Sequence, residues 1–157
     1  MIQTVHGVSV TRIGGGLLDL SQLRGKVLCI ANIAGQCTFA HAKMQQLCEL
    51  DERLRRSGRF EVLAFPCNQF ANQEPRPAFE VAVWAKDIYG AQFEVFESLH
   101  VRGARKHPLY QRLTQRCGEA QWNFTTYLCD PNGVPVRRYL ATESSVAVIA
   151  GDAERFF

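Results

Sequence analysis

Val27-Leu28-Cys29-Ile30-Ala31-Asn32-Ile33-Ala34-Gly35-Gln36-Cys37 decides the fold. Val27 to Ile33 is a short, nearly unbroken apolar run with branched residues at Val27, Ile30 and Ile33. That pattern predicts a strand buried on both faces. Ala40 to about Arg56 follows, with Met44, Leu47, Cys48, Leu50 and Leu54 at helical spacing and Gly58 as the stop. Glu49/Arg53, Asp51/Arg55 and Glu52/Arg56 are spaced as i,i+4 pairs along it. Cys37 therefore stands between a buried strand and the start of a helix. Unpaired N–H groups at a helix N-terminus stabilise an anion, and the thiolate is the reactive form of cysteine. Of six cysteines, Cys37 is the one marked by position as a nucleophile, and that role requires a sulfur that solvent can reach.

Outward from this unit, Phe60 to Phe65 predicts a second buried strand, halted at Pro66. Residues 78–89 predict a helix burying Val81, Trp84, Ala85 and Ile88. Phe93 to Phe96 reads as a short strand. Pro108 suits the first position of a third helix, running to about Arg116 before Gly118. Phe124 to Cys129 and Val134 to Tyr139 form a hairpin around Asp130-Pro131-Asn132-Gly133. A last helix covers Val146 to Phe157, capped by Ser145 or Ser144. At the N-terminus, residues 4–12 read as a short hairpin arm turning at Gly14-Gly15-Gly16, and residues 17–25 as a surface segment. The order predicts an α/β fold: a central mixed sheet with parallel strand–helix–strand units, an antiparallel edge and helices on both sides. Sites in such sheets lie at the carboxyl ends of the strands, so Cys37 and the segment Cys67 to Glu74 should meet there.

The bulk properties narrow the function classes. The 157 residues suit one domain, 1–157, with 46% hydrophobic and 21% charged residues. A net charge of +3 is too weak to argue for nucleic acid. No apolar run approaches the roughly 18 residues of a membrane helix. Met1 to Leu20 lacks a basic head followed by an apolar stretch, so the expectation is no leader and a cytoplasmic, reducing location. There the cysteines are expected as free thiols. No Cys-x-x-Cys and no paired histidine spacing points to a metal, and no cofactor is expected. Cys29, Cys48 and Cys129 fall on core positions. His41 reads as a solvated helix-face residue. The cluster Arg102, Arg105, Lys106, Arg112 and Arg116 reads as a solvated basic face.

Three segments carry a resemblance: Asn32 to Cys37, then Phe65-Pro66-Cys67-Asn68-Gln69-Phe70-Ala71-Asn72-Gln73-Glu74-Pro75, then Trp122-Asn123-Phe124. In order and spacing they resemble the glutathione peroxidase family, and the likeness runs from about Leu17 to Tyr139. The resemblance implies a thioredoxin-like fold. It implies Cys37 as the peroxide-reacting residue (a selenocysteine in some relatives), with Gln73, Trp122 and Asn123 as its polar partners. The chemistry suits those types, because amide and indole N–H groups donate without becoming anionic. The implied reaction reduces hydrogen peroxide and organic or lipid hydroperoxides through a Cys37 sulfenic acid, with glutathione or thioredoxin as reductant.

The sequence departs from the family at Thr38 (usually glycine), Ala40 (threonine), Gly35 (serine) and Ala71 (glycine). The short stretch from Leu113 to Trp122 implies a monomer, since tetrameric members carry an extra loop there. Between Arg76 and Gly90 there is no resolving cysteine of the thioredoxin-dependent kind, which favours a monothiol; Cys117 and Cys67 are the substitutes. The competing readings are a thiol–disulfide oxidoreductase, against which the missing Cys-x-x-Cys counts, and a peroxide-sensing redox relay with little turnover.

Overall fold

In the computed structural model, which describes residues 2–157, the chain begins with a 3₁₀ turn at Val5–Gly7 and a hairpin. Strand β1 (Ser9–Thr11) pairs antiparallel with β2 (Leu17–Asp19), Val10 opposite Leu18. The start of the stretch after the glycine turn, expected as a surface segment, is thus half of that hairpin. Its alternation is short, but Leu18 is buried between exposed Leu17 and Asp19.

Strand β3 (Val27–Ile33) is the centre of a five-stranded sheet, and all seven of its residues are buried. It pairs in parallel with β4 (Phe60–Pro66), which pairs in parallel with β5 (Glu94–Val95). On the other side β6 (Thr126–Cys129) and β7 (Pro135–Tyr139) add antiparallel, giving the order β5-β4-β3-β6-β7. The helices are α1 (Ala40–Leu54), α2 (Ala78–Tyr89), α3 (Pro108–Cys117) and α4 (Val146–Glu154). Ser145 Oγ accepts from Val148 N at the start of α4, so Ser145 is the cap.

Alternate β3 side chains face opposite ways and build two cores. Val27, Cys29, Ala31 and Ile33 join α1, α4 and part of α2 on one face. Leu28 and Ile30 join Phe65, Phe96, Tyr110, Leu113 and Tyr127 on the other. The buried face of α2 is narrower than its pattern predicts: Val81 and Ala85 are buried, but Ile88 is 64% exposed. Edge strand β5, against which α2 packs, is only two residues long, so it leaves little sheet to cover the outer side of the helix.

Two histidines tie local structure to pH. His6 is buried beside the β6–β7 turn, where a Cβ on Gly133 would lie 2.8 Å from its ring, and neither ring nitrogen has a partner. His107 caps α3, its Nδ1 accepting from Leu109 N at 3.0 Å, which requires an unprotonated Nδ1. Burial holds both below the ordinary histidine value of 6.5, with Arg24 adding to the effect at His6 against the opposing pull of Asp130 and Asp19. The unfolded chain therefore binds protons that the folded chain refuses. The contribution is fully present above pH 6.5 and is lost as pH falls through the lowered folded values. The melting temperature is expected to fall between pH 7.5 and 5.5, and to fall less in His107→Asn, whose amide caps without titrating. A melting temperature flat across that range would contradict this.

Candidate active site

The carboxyl end of β3 sets the site. Pairing with the second strand continues past the sheet, Cys67 N donating to Ile33 O at 3.1 Å. The chain then turns through Gly35 and Gln36 to Cys37, whose carbonyl accepts from Ala40 N at 2.9 Å as α1 begins. Helix α1 has neither a side-chain cap nor an acidic residue in its first turn, so the positive end of its dipole is not neutralised locally.

The loop after β4 is folded by its own polar groups. Gln69 Oε1 accepts from Val101 N and Arg102 N, and Asn68 Oδ1 accepts from Glu74 N at 2.9 Å. Ala71 and Asn72 take consecutive left-handed conformations, φ 56° and 52°. That explains why glycine is usual at 71, since a Cβ there carries a steric cost of about 1–2 kcal/mol. The reversal brings Gln73 back against the first loop, where Gln73 O accepts from Gln36 N at 3.0 Å.

The third segment is held from inside the sheet. Asn32, fully buried in β3, donates from Nδ2 to Trp122 O at 3.2 Å and accepts at its own carbonyl from Phe124 N at 2.7 Å. These bonds grip both sides of Asn123. Asn123 is itself fully buried and donates from Nδ2 to Gln73 Oε1 at 2.9 Å. Trp122 is 38% exposed and packs on Phe70, ring centroids 5.6 Å apart.

The structure therefore joins Gln73 to Asn123 directly, and Gln73 to the Cys37 loop through backbone. Among the described residues no hydrogen bond reaches Cys37 Sγ, and none uses Gln73 Nε2 or Trp122 Nε1. The expectation of an open sulfur is corrected: Cys37 is only 6% exposed. The reason is its packing within the core cluster formed by α1 and the first face of the sheet.

Sequence reasoning missed two residues. Asn32 is a polar residue inside an otherwise apolar strand, which was the available signal. Glu74 has a fully buried carboxylate that accepts from Gly35 N at 2.9 Å and pairs with Arg76 at 2.8 Å. An arginine two residues after that glutamate was its signal.

Cys29 shares the core cluster of Cys37, and Cys48 packs against it. Cys67 and Cys117 pack in or against the opposite core, with Cys129. Burial pushes the Cys67 and Cys117 thiols above their ordinary value, and the Cys29 thiol up to about 12. His41 is exposed, 3.3 Å from the Tyr89 hydroxyl. The basic cluster is partly consumed by structure: Lys106 binds Glu119, Arg112 binds Thr4 O and Arg116 binds Pro135 O. Among the described residues no group of three or more His, Cys, Asp or Glu is placed to hold a metal.

Comparison with known proteins decides the family. The glutathione peroxidase family model matches residues 5–114, which include Cys37 and Gln73. The chain belongs to the glutathione peroxidase family. A probable phospholipid hydroperoxide glutathione peroxidase of Helianthus annuus is 38% identical over 141 residues, covering 87% of this chain and 78% of that protein. A probable mitochondrial glutathione peroxidase 3 of Arabidopsis thaliana is 35% identical over 150 residues, covering 92% and 72%. The crystal structure of T. cruzi GPX1 has a TM-score of 0.80 at 30% identity, covering 98% of this chain and 96% of that one. A thioredoxin-family thiol:disulfide interchange protein from Chlorobium tepidum has a TM-score of 0.71 at 13% identity, covering 99% and 97%, and shows the shared thioredoxin-like fold. As a glutathione peroxidase family member, the protein is an oxidoreductase acting on peroxide by thiol chemistry.

Proposed function

We propose that Cys37 is the residue that reduces the peroxide, that Gln73, Trp122 and Asn123 are its polar partners, and that glutathione restores it. The observation that carries this reading is the Asn123–Gln73 hydrogen bond, 50 residues apart in sequence, at the mouth of the loop bearing Cys37. The Cys37 thiolate attacks the terminal peroxide oxygen and the O–O bond breaks. This leaves a sulfenic acid on Cys37 and an alkoxide or hydroxide that takes a proton from water. The free Gln73 amide and Trp122 indole N–H groups orient the peroxide and stabilise developing charge without competing for it. One glutathione condenses with the sulfenic acid, releasing water and forming a mixed disulfide. A second glutathione attacks that disulfide, returning the Cys37 thiol and leaving oxidised glutathione.

Organic hydroperoxides fit the same site. An apolar groove of about 230 Å³, lined by Phe39, Leu140, Ala141 and the proposed partner Trp122, would take the apolar chain of such a peroxide. A monomer acting in a reducing, cytoplasmic setting completes the proposal, and the six unpaired cysteines agree with the reducing part of it.

A monothiol is favoured over a thioredoxin that needs a resolving cysteine. Cys117 lies across the sheet from Cys37, beside the Cys129 end of the β6 ladder. Leu28, which pairs with Cys129, is five residues from Ile33, or roughly 16 Å along the strand. Closing a disulfide needs Cα atoms within about 7 Å. Cys117→Ser is therefore expected to leave glutathione-driven peroxide consumption within about twofold of the parent. Glutathione supporting no turnover while thioredoxin does, with that turnover lost in Cys117→Ser, would reverse the choice of reductant. One oxidation per chain with neither reductant turning over would favour the sensing relay.

A further inference from the structure

We propose that Arg76 is a positioning residue for the Cys37 loop, acting through the buried carboxylate of Glu74, and that glycine at 35 is the space its guanidinium requires. The inference rests on Cys37 being the peroxide-reacting residue.

The Glu74 side chain is fully buried, and a carboxylate stays charged there only with close partners. Arg76 supplies a two-pronged one: Nη2 donates to Oε1 at 2.8 Å and Nε donates to Oε2 at 3.0 Å. The same Oε1 accepts from Gly35 N at 2.9 Å. The arginine fork thus fixes the rotation of the carboxylate, and the carboxylate fixes the amide two residues before Cys37. The next amide, Gln36 N, is held by Gln73 O. Both peptide groups leading into the nucleophile are anchored on residues 73–76.

Arg76 is held from its other side by Trp84 of α2, with its guanidinium carbon 4.8 Å from the ring centroid. It lies so close over Gly35 that a Cβ there would overlap Nη2. Glycine in place of the family's common serine is explained by this contact: the guanidinium occupies the volume a side chain would take. Lysine cannot substitute, because an ammonium is a point charge without the planar fork.

The test measures single-turnover oxidation of Cys37 by hydrogen peroxide, with dimedone trapping and mass spectrometry to locate the sulfenic acid. Melting temperature is followed in parallel. Arg76→Gln and Arg76→Lys are each expected to slow oxidation about 10- to 100-fold, as expected for a reacting group displaced by about 1 Å. Arg76→Lys should keep more of the melting temperature than Arg76→Gln without regaining the rate. Gly35→Ser alone should slow oxidation, but Gly35→Ser added to Arg76→Gln should slow it little beyond Arg76→Gln alone, because the guanidinium that the serine would displace is already gone. Parent-like oxidation rates in both Arg76 single variants, with only the melting temperature lowered, would overturn the proposal and leave Arg76 a structural residue. Additive losses in the double variant would overturn the shared-space argument. Sulfenic acid found elsewhere than Cys37 in the parent would instead defeat the underlying assignment.

Discussion

Cys37→Ser is expected to lower steady-state peroxide consumption by at least about 10³-fold with every reductant, while the circular dichroism spectrum and melting temperature stay close to the parent. Losing a nucleophile outright costs this much or more in enzymes where it has been measured. Serine replaces sulfur by a smaller atom that is far harder to ionise and does not support a sulfenic acid. The fold should tolerate it, because Cys37 Sγ makes no hydrogen bond among the described residues and the exchange removes little volume. Peroxide consumption in Cys37→Ser equal to that of the parent would end the assignment. The remaining five cysteines are poor substitutes. Cys29 and Cys129 are fully buried, and burial pushes the Cys48 thiol up to about 11.

Asn123→Ala is expected to slow the oxidation of Cys37 by about 10²- to 10³-fold, the range found when one preorganised donor is removed from a reaction centre. Asn123 is fully buried, and its Nδ2 is the group that orients Gln73 Oε1. Without it the Gln73 amide is free to rotate, and the N–H proposed to meet the peroxide loses its direction. Stability should fall by about 1–3 kcal/mol, because the change leaves a cavity and an unpaired Gln73 oxygen. Rapid-mixing measurement of sulfenic acid formation separates the two effects. A normal oxidation rate with reduced stability would show that Asn123 supports the fold and not the reaction.

The legibility of this protein in its sequence followed the strength of local signals. Strand β3 and helix α1 were readable because seven consecutive residues buried on both faces leave an apolar run, and one buried stripe leaves a helical period. The turn at Asp130 to Gly133 was readable from its residues, and Asp130 Oδ1 does accept from Asn132 N and Val134 N. The small β2 strand was not readable, since three residues give almost no alternation. Ile88 was misplaced because periodicity describes a helix face and says nothing about where the opposing sheet ends. At the site, the convergence of the Cys37 and Gln73 loops followed from strand order. The near-complete cover over Cys37 did not, because it depends on how closely α1 meets the sheet. The grip of Asn32 on residues 122–124 and of Glu74 on Gly35 left only faint signals, a lone polar residue in an apolar strand and an arginine two residues after the glutamate, since each joins segments whose distance only the folded chain defines.

The strand from which the Cys37 loop hangs is the middle one of five, paired on both edges and screened from water along its whole length. Its amides should be among the slowest in the molecule to exchange with deuterium, opening only when everything else has opened. Warming therefore does not loosen the reacting end ahead of the remainder. Loss of catalysis and collapse of the native state should arrive at one temperature.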